Sequence, residues 1–275
     1  MYVPDTTPTG ANMLSGMDTC KAYCSAAAVG SKIYIFGGLC RKSDSQTINS
    51  VKTTSTIHMA DTKLGEATRL STLYDYGYKA AAAAVDDKIY LFGGGYRAAD
   101  GGPLYVTKNI AIFDTNTYEI TILDQKLPDI ALGISGIAVG SKIYLFGGRW
   151  GGDLKMSKDI YAFETTTGEL ELIGQMASAG ETVFLALWNN YIYMLTGYGE
   201  WNGYRSTVDR ISLKTLLDSG KLLIETGVNK NTFSLISNPA INVEVGIKNV
   251  YLGNSEGYAE KVPAALYVDG AWTEI

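Results

Sequence analysis

The heptapeptide KIYIFGG at residues 32–38 returns as KIYLFGG at 88–94 and again at 142–148, then more loosely as YIYMLTG at 191–197 and KNVYLGN at 248–254. Marked at the position of the second glycine (38, 94, 148, 197 and 253), the copies stand 56, 54, 49 and 56 residues apart. A spacing near 50 that recurs along a chain is the mark of a repeat architecture in which each copy is one supersecondary unit. Apolar and polar residues alternate with a period of two inside each copy, as half-buried antiparallel strands require. The glycines that follow supply backbone conformations and close approach that a side chain would forbid, so they end the strand and open a loop.

Working outward from the heptapeptide, each copy is preceded by a run of small or apolar residues: SAAAV at 25–29, AAAAAV at 80–85, SGIAV at 135–139 and LALW at 185–188. Small side chains let neighbouring strands approach closely, so these runs read as innermost strands. The pairs Gly30-Ser31, Asp86-Asp87 and Gly140-Ser141 between run and heptapeptide are tight hairpin turns. Downstream, NIAIFDT at 109–115, DIYAFET at 159–165 and TVDRISL at 207–213 read as third strands, and EITIL at 119–123 and ELELI at 169–173 as fourth.

With a tyrosine before the glycines (Tyr34, Tyr90, Tyr144) and this order of four strands, residues 18–275 resemble the kelch family. The resemblance implies an all-β, kelch-type β-propeller of five four-stranded blades, in which the second-to-third loops share a face with the links between blades. The outer-strand tryptophan of the family is met only as Trp272, and the family usually has six or seven units rather than five. Residues 1–17 are an N-terminal segment that could add a closing strand. An alternative division gives four blades over 18–227 and a separate tail module over 228–275.

Composition narrows the function classes. The 275 residues include 31 glycines and 19 tyrosines, which suits many short strands and tight turns. The net charge of −5 provides no basic stripe for phosphates, so no nucleic-acid partner is expected. No run reaches the length of a membrane span, and MYVPDTTPTGANMLSG at 1–16 lacks a basic region followed by an apolar one, so synthesis in the cytoplasm without a signal peptide is the expectation. Three cysteines, Cys20, Cys24 and Cys40, are too few and odd in number for a disulfide framework, and Cys24 reads as a small buried thiol.

Catalytic chemistry finds little support in the residues. His58 is the one histidine, on a third strand, and a lone strand histidine is more often packed or exposed than catalytic. The kelch-type copper-radical oxidases need two histidine ligands, which excludes them here. Sialidase-type Ser-x-Asp-x-Gly-x-x-Trp turns and Asp-x-Asp-x-Asp-Gly calcium loops are both missing, so no metal and no cofactor are expected. The acids near strand ends, among them Asp129, Asp153, Glu181 and Glu200, read as solvated loop charge. The expectation is a protein that is not an enzyme.

Binding is better supported. The second-to-third loops carry Arg41, Tyr96, Arg97, Arg149, Trp150, Trp201, Tyr204 and Arg205, and the link at 73–79 adds Tyr74 and Tyr76. Aromatics and arginines interleaved with glycine can stack on sugar rings or anchor a protein, and Arg41, Arg97 and Arg149 follow the glycines in three successive copies. These residues are the expected ligand-binding set, for a glycan or a protein on the loop face.

The C-terminal segment, IKNVYLGNSEGYAEKVPAALYVDGAWTEI at 247–275, resembles the ends of structural proteins from phages of Gram-positive bacteria. That resemblance implies a virion component, tail-associated or receptor-binding, whose loops meet a host-surface glycan or a neighbouring virion protein, and which could be a homo-oligomer. The alternatives are a cytoplasmic kelch interaction scaffold and a carbohydrate-active enzyme.

Overall fold

The structure is a computed structural model that describes residues 21–41, 51–72, 77–97, 102–195, 197–199, 208–213, 224–225, 250–253, 259–262, 265–268 and 271–274. The segment 1–17 and five of the expected binding residues, Tyr74, Tyr76, Trp201, Tyr204 and Arg205, lie outside the described residues. The chain divides into two compact units, Met1–Val228 and Asn229–Ile275.

The first unit carries four four-stranded antiparallel sheets in which spatial order follows chain order. The first sheet is Ser25–Val29, Lys32–Phe36, Thr56–Asp61 and Glu66–Thr72; the second is Ala81–Val85, Lys88–Phe92, Asn109–Asp114 and Ile120–Lys126. The third is Ser135–Val139, Lys142–Phe146, Asp159–Glu164 and Leu170–Gln175; the fourth is Phe184–Trp188, Tyr191–Leu195, Val208–Ser212 and Ile224–Glu225. Each first hairpin closes in two residues, pairing Val29 with Lys32, Val85 with Lys88, Val139 with Lys142 and Trp188 with Tyr191. The first turn residue is left-handed in every case (Gly30, Asp86, Gly140, Asn189), as tight hairpins demand.

The sheets fan out from their first strands, with Ala81–Val85 lying beside both Ser25–Val29 and Ser135–Val139, and the latter beside Phe184–Trp188. Small residues allow this approach: a Cβ added at Gly136 would already be 3.5 Å from the Ala81 methyl. Successive sheets then pack face to face. Tyr34, Phe36 and Ile57 meet Ile89, Leu91, Ala111 and Phe113; Tyr90 and Phe92 meet Ile143, Leu145 and Phe163; Tyr144 and Phe146 meet Ile192, Met194 and Ile211. Edge-to-face ring pairs, Phe36–Phe113 and Phe92–Phe163, each at 5.4 Å, repeat at equivalent places.

The glycine doublets are the joints between sheets. A Cβ on Gly37, Gly93 or Gly147 would fall 2.3 Å from Gly77 Cα, 2.4 Å from Ala131 O or 2.2 Å from Gly180 O, the backbone leading into the next sheet. The following glycine donates to that same backbone, Gly38 N–H to Gly77 O (3.0 Å), Gly94 to Ala131 O (2.8 Å) and Gly148 to Gly180 O (2.8 Å).

Among the described residues the arc of four sheets does not close on itself. Ile33 of the first sheet is 38% exposed, whereas Ile89, Ile143 and Ile192, at the same place in the later sheets, are fully buried. In the second unit Val250–Gly253 pairs with Ala259–Val262 and Ala265–Val268 with Ala271–Glu274. Among the described residues the fifth repeat copy lies in the first of these hairpins. Cys24, expected to be buried, is an exposed free thiol, because it stands in the link before the first strand rather than in the strand itself. Among the described residues no helix is long and apolar enough to cross a membrane.

Candidate functional site

Just before each first strand the backbone turns left-handed, at Tyr23 (φ 54°), Lys79 (φ 51°), Gly133 (φ 67°) and Thr182 (φ 52°). These four residues form a hydrogen-bonded chain: Lys79 N–H donates to Tyr23 O (3.1 Å), Gly133 to Lys79 O (2.8 Å) and Thr182 to Gly133 O (2.7 Å). Four links from widely separated parts of the sequence are thereby stitched side by side at one end of the inner strands. A left-handed conformation costs a residue with a side chain about 1–3 kcal/mol, so three such residues in register mean that the surrounding structure enforces the bend.

The residue before each bend pairs with the residue after the glycine doublet of the same sheet, or after Gly197 in the fourth: Ala22 with Leu39, Tyr78 with Gly95, Leu132 with Arg149 and Glu181 with Tyr198. This register gathers a charged cluster. Glu181 is buried, with 5% of its surface exposed. Its Oε1 takes a hydrogen bond from Lys79 Nζ at 3.3 Å, and Arg149 Nε stands 3.0 Å from Oε2. The Arg149 approach is an ion pair whose angle makes no hydrogen bond, so the buried Oε2 accepts none among the described residues. Lys79 is 15% and Arg149 31% exposed at the side chain, so both side chains keep some contact with solvent.

Aromatic rings frame the charges. Lys79 Nζ lies 5.2 Å from the Tyr23 ring centre and 5.7 Å from that of Tyr78, and the Arg149 guanidinium lies 5.8 Å from that of Tyr198. Burial pushes the Tyr78 hydroxyl above the usual tyrosine range, and Tyr23 and Glu181 push it further, against the pull of Arg97 and Arg149. Tyr78 is therefore a neutral donor at ordinary pH. Two cations on one buried carboxylate leave the cluster with a net positive charge.

Of the expected binding residues, Arg149 belongs to this cluster. Trp150, its neighbour on the same two-residue strand, faces away, with its indole N–H donating to Gly147 O at 2.7 Å and its ring 5.3 Å from Tyr161. Tyr96 stacks on Tyr105 at 6.5 Å, and Arg97 binds Thr53 through its backbone N–H and C=O. The three arginines do not share one place: Arg149 directly follows the second glycine, whereas Arg41 and Arg97 come three residues after it, and the backbone of Arg41 pairs with Val51. Glu181, expected as solvated loop charge, is buried because the strand Gly180–Glu181 pairs with Tyr198–Gly199 beneath Lys79 and Arg149. Lys79 carried no signal in the sequence beyond its place in the link after a tyrosine. Among the described residues no group of three His, Cys, Asp or Glu is placed to hold a metal ion.

No protein-family model matches the chain. A curated relative, the N-(sulfonatooxy)prop-2-enimidothioate sulfolyase of Thlaspi arvense, is 33% identical over 102 residues, which cover 36% of this chain and 27% of that protein's length. The solved structure of YjhT superposes with a TM-score of 0.63 at 14% identity, covering 83% of this chain and 69% of that one, a likeness of fold. The relative is an enzyme by name, and this overturns the expectation that the chain is not one. That expectation rested on missing histidines and recognised motifs, and a buried carboxylate between two cations leaves neither kind of trace.

Proposed function

We propose that the chain is a kelch-type β-propeller, counted at five blades by its five repeat copies, that binds a small sulfate- or carboxylate-bearing substrate at the end of the inner strands and acts on it. The observation that carries this reading is the buried Glu181 carboxylate held between Lys79 and Arg149, whose side chains are both partly exposed. The two cations offer charge-assisted hydrogen bonds to an anionic group, with Arg149 as the planar fork and Lys79 as the point charge. The buried Glu181 carboxylate sets the position and charge of the two cations, and the neutral Tyr78 hydroxyl can donate to a bound substrate. The sulfolyase named for the relative handles a sulfonatooxy group, and departing sulfate gathers negative charge that Lys79 and Arg149 would stabilise.

The test is sulfate release from N-(sulfonatooxy)prop-2-enimidothioate by the full chain, against the protein-free rate. Release well above that rate, lowered at least tenfold in Arg149→Met and in Glu181→Gln, is the expected result. A rate equal to the protein-free one, together with no calorimetric binding of sulfate, removes the reading.

A second reading, a tail-associated or receptor-binding virion component, is favoured by the C-terminal segment 247–275, which lies within the separate compact unit Asn229–Ile275. In that reading the loop face, including Tyr96, Arg97 and Trp150, meets a host-surface glycan or a neighbouring virion protein. Imaging of phage particles for this subunit tests it.

A further inference from the structure

We propose that the chain holds a second ligand site, for a neutral pyranose sugar, in the cleft in front of Trp150 on the third sheet. The strand Arg149–Trp150 alternates: Arg149 is turned to Glu181, and Trp150 faces the other way into a cleft of about 600 Å³. That volume lies in the range of small-molecule sites and accommodates one or two sugar rings. The indole is held by its bond to Gly147 O (2.7 Å) and by Tyr161 at 5.3 Å and 33°, so this aromatic plate at the cleft wall is largely oriented before a ligand binds. Sugar rings present C–H faces that lie on such plates.

The polar walls suit hydroxyl groups. Asp129 and Asp159 line the cleft with Lys155 and Lys158, so the charges balance and a neutral ligand is favoured over an anion. Each carboxylate is held by one oxygen: Asp129 Oδ1 receives the Ile130 N–H and Asp159 Oδ1 the Gln175 side-chain amide, both at 2.7 Å. The remaining carboxylate oxygens can accept from adjacent sugar hydroxyls, and the lysines can donate to them. This site is separate from the cluster at Glu181 and does not rest on its reading; it deepens the second reading at Trp150 alone and stands whether or not the chain belongs to a virion.

The experiment titrates the full chain with methyl β-D-glucopyranoside and methyl β-D-galactopyranoside, read by saturation-transfer NMR and calorimetry, with and without saturating sodium sulfate. Saturable binding of at least one glycoside, unaffected by sulfate, is expected. Asp129→Asn and Asp159→Asn should each weaken it at least fivefold with an unchanged melting temperature, and Trp150→Phe should weaken it as well. No saturable binding of either glycoside, competition by sulfate, or affinity unchanged in both asparagine variants overturns the proposal. Failure to release sulfate from the thioimidate bears on the Glu181 cluster alone.

Discussion

Gly133, in the link into the third sheet, lies directly against the carboxylate of Glu181 in the link into the fourth: a Cβ added at Gly133 would come 2.9 Å from Oε2 and 3.2 Å from Cβ of Glu181. Gly133 is also left-handed, at φ 67°. Gly133→Ala therefore has to strain its own backbone and push the carboxylate off Lys79 and Arg149. The expected loss is about 1–3 kcal/mol in chemical denaturation, with sulfate affinity altered in the same variant. Unchanged stability and affinity would mean that the carboxylate is not held against this glycine.

Glu181 neutralises part of the charge of Lys79 and Arg149, so Glu181→Gln separates binding from chemistry. Stability should fall by about 1–3 kcal/mol, less than for a fully buried pair because both cations keep some solvent. Sulfate should bind several-fold more tightly as the net positive charge rises, and more so at low salt, while sulfate release slows. Calorimetry at two ionic strengths beside a turnover assay distinguishes this from simple loss of the site.

Three tyrosines at one repeat position differ in their partners. Against the upward push of burial, Thr115 holds the Tyr34 hydroxyl down, and Thr165 that of Tyr90, each from the next sheet. Leu213 stands where the next threonine would, its N–H bonding Asn190 O as Thr115 and Thr165 bond Asp87 O and Ser141 O, and the buried Tyr144 hydroxyl has no hydrogen-bond partner among the described residues. Tyr34→Phe and Tyr90→Phe should each cost about 1 kcal/mol, and Tyr144→Phe should be neutral or slightly stabilising. Equal losses in all three denaturation curves would contradict this account.

Burial pushes the hydroxyls of Tyr34, Tyr78, Tyr90, Tyr144 and Tyr161 above the ordinary value of 10.0. The folded chain favours the neutral phenol and the unfolded chain ionises first, so stability is unaffected below the unfolded pKa and is lost as pH rises through the folded values. Tyrosinate absorbance on alkaline titration should rise in two phases, the second coinciding with loss of the strand circular-dichroism signal. A single phase complete before unfolding would place these hydroxyls in solvent.

Much of the strand plan was legible because it is local. Alternation in KIYLFGG, the two-residue turn before it and the paired glycines after it each act over a few residues, and they recover the first hairpins of the first three sheets. The fourth copy was harder to read, since YIYMLTG has one glycine where the others have two and Asn189-Asn190 replaces the Gly/Ser or Asp pair. The candidate site was read in part: Arg149 and Trp150 stood out as loop residues, but their opposite roles follow from strand alternation on either side of the second glycine. Arg41 and Arg97 looked like their equivalents until register set them two positions further on.

By itself the sequence determined the repeat, the antiparallel pairing within each unit and the all-β class, because hydrophobic alternation and turn conformations are decided by near neighbours. Only the tertiary structure decided that Lys79 meets Glu181 across 102 residues, that Gly133 makes room for that carboxylate, and that Tyr144 lacks the threonine its counterparts have. Those meetings depend on the angle at which one sheet follows another. That angle is set by packing between sheets, which no local pattern encodes.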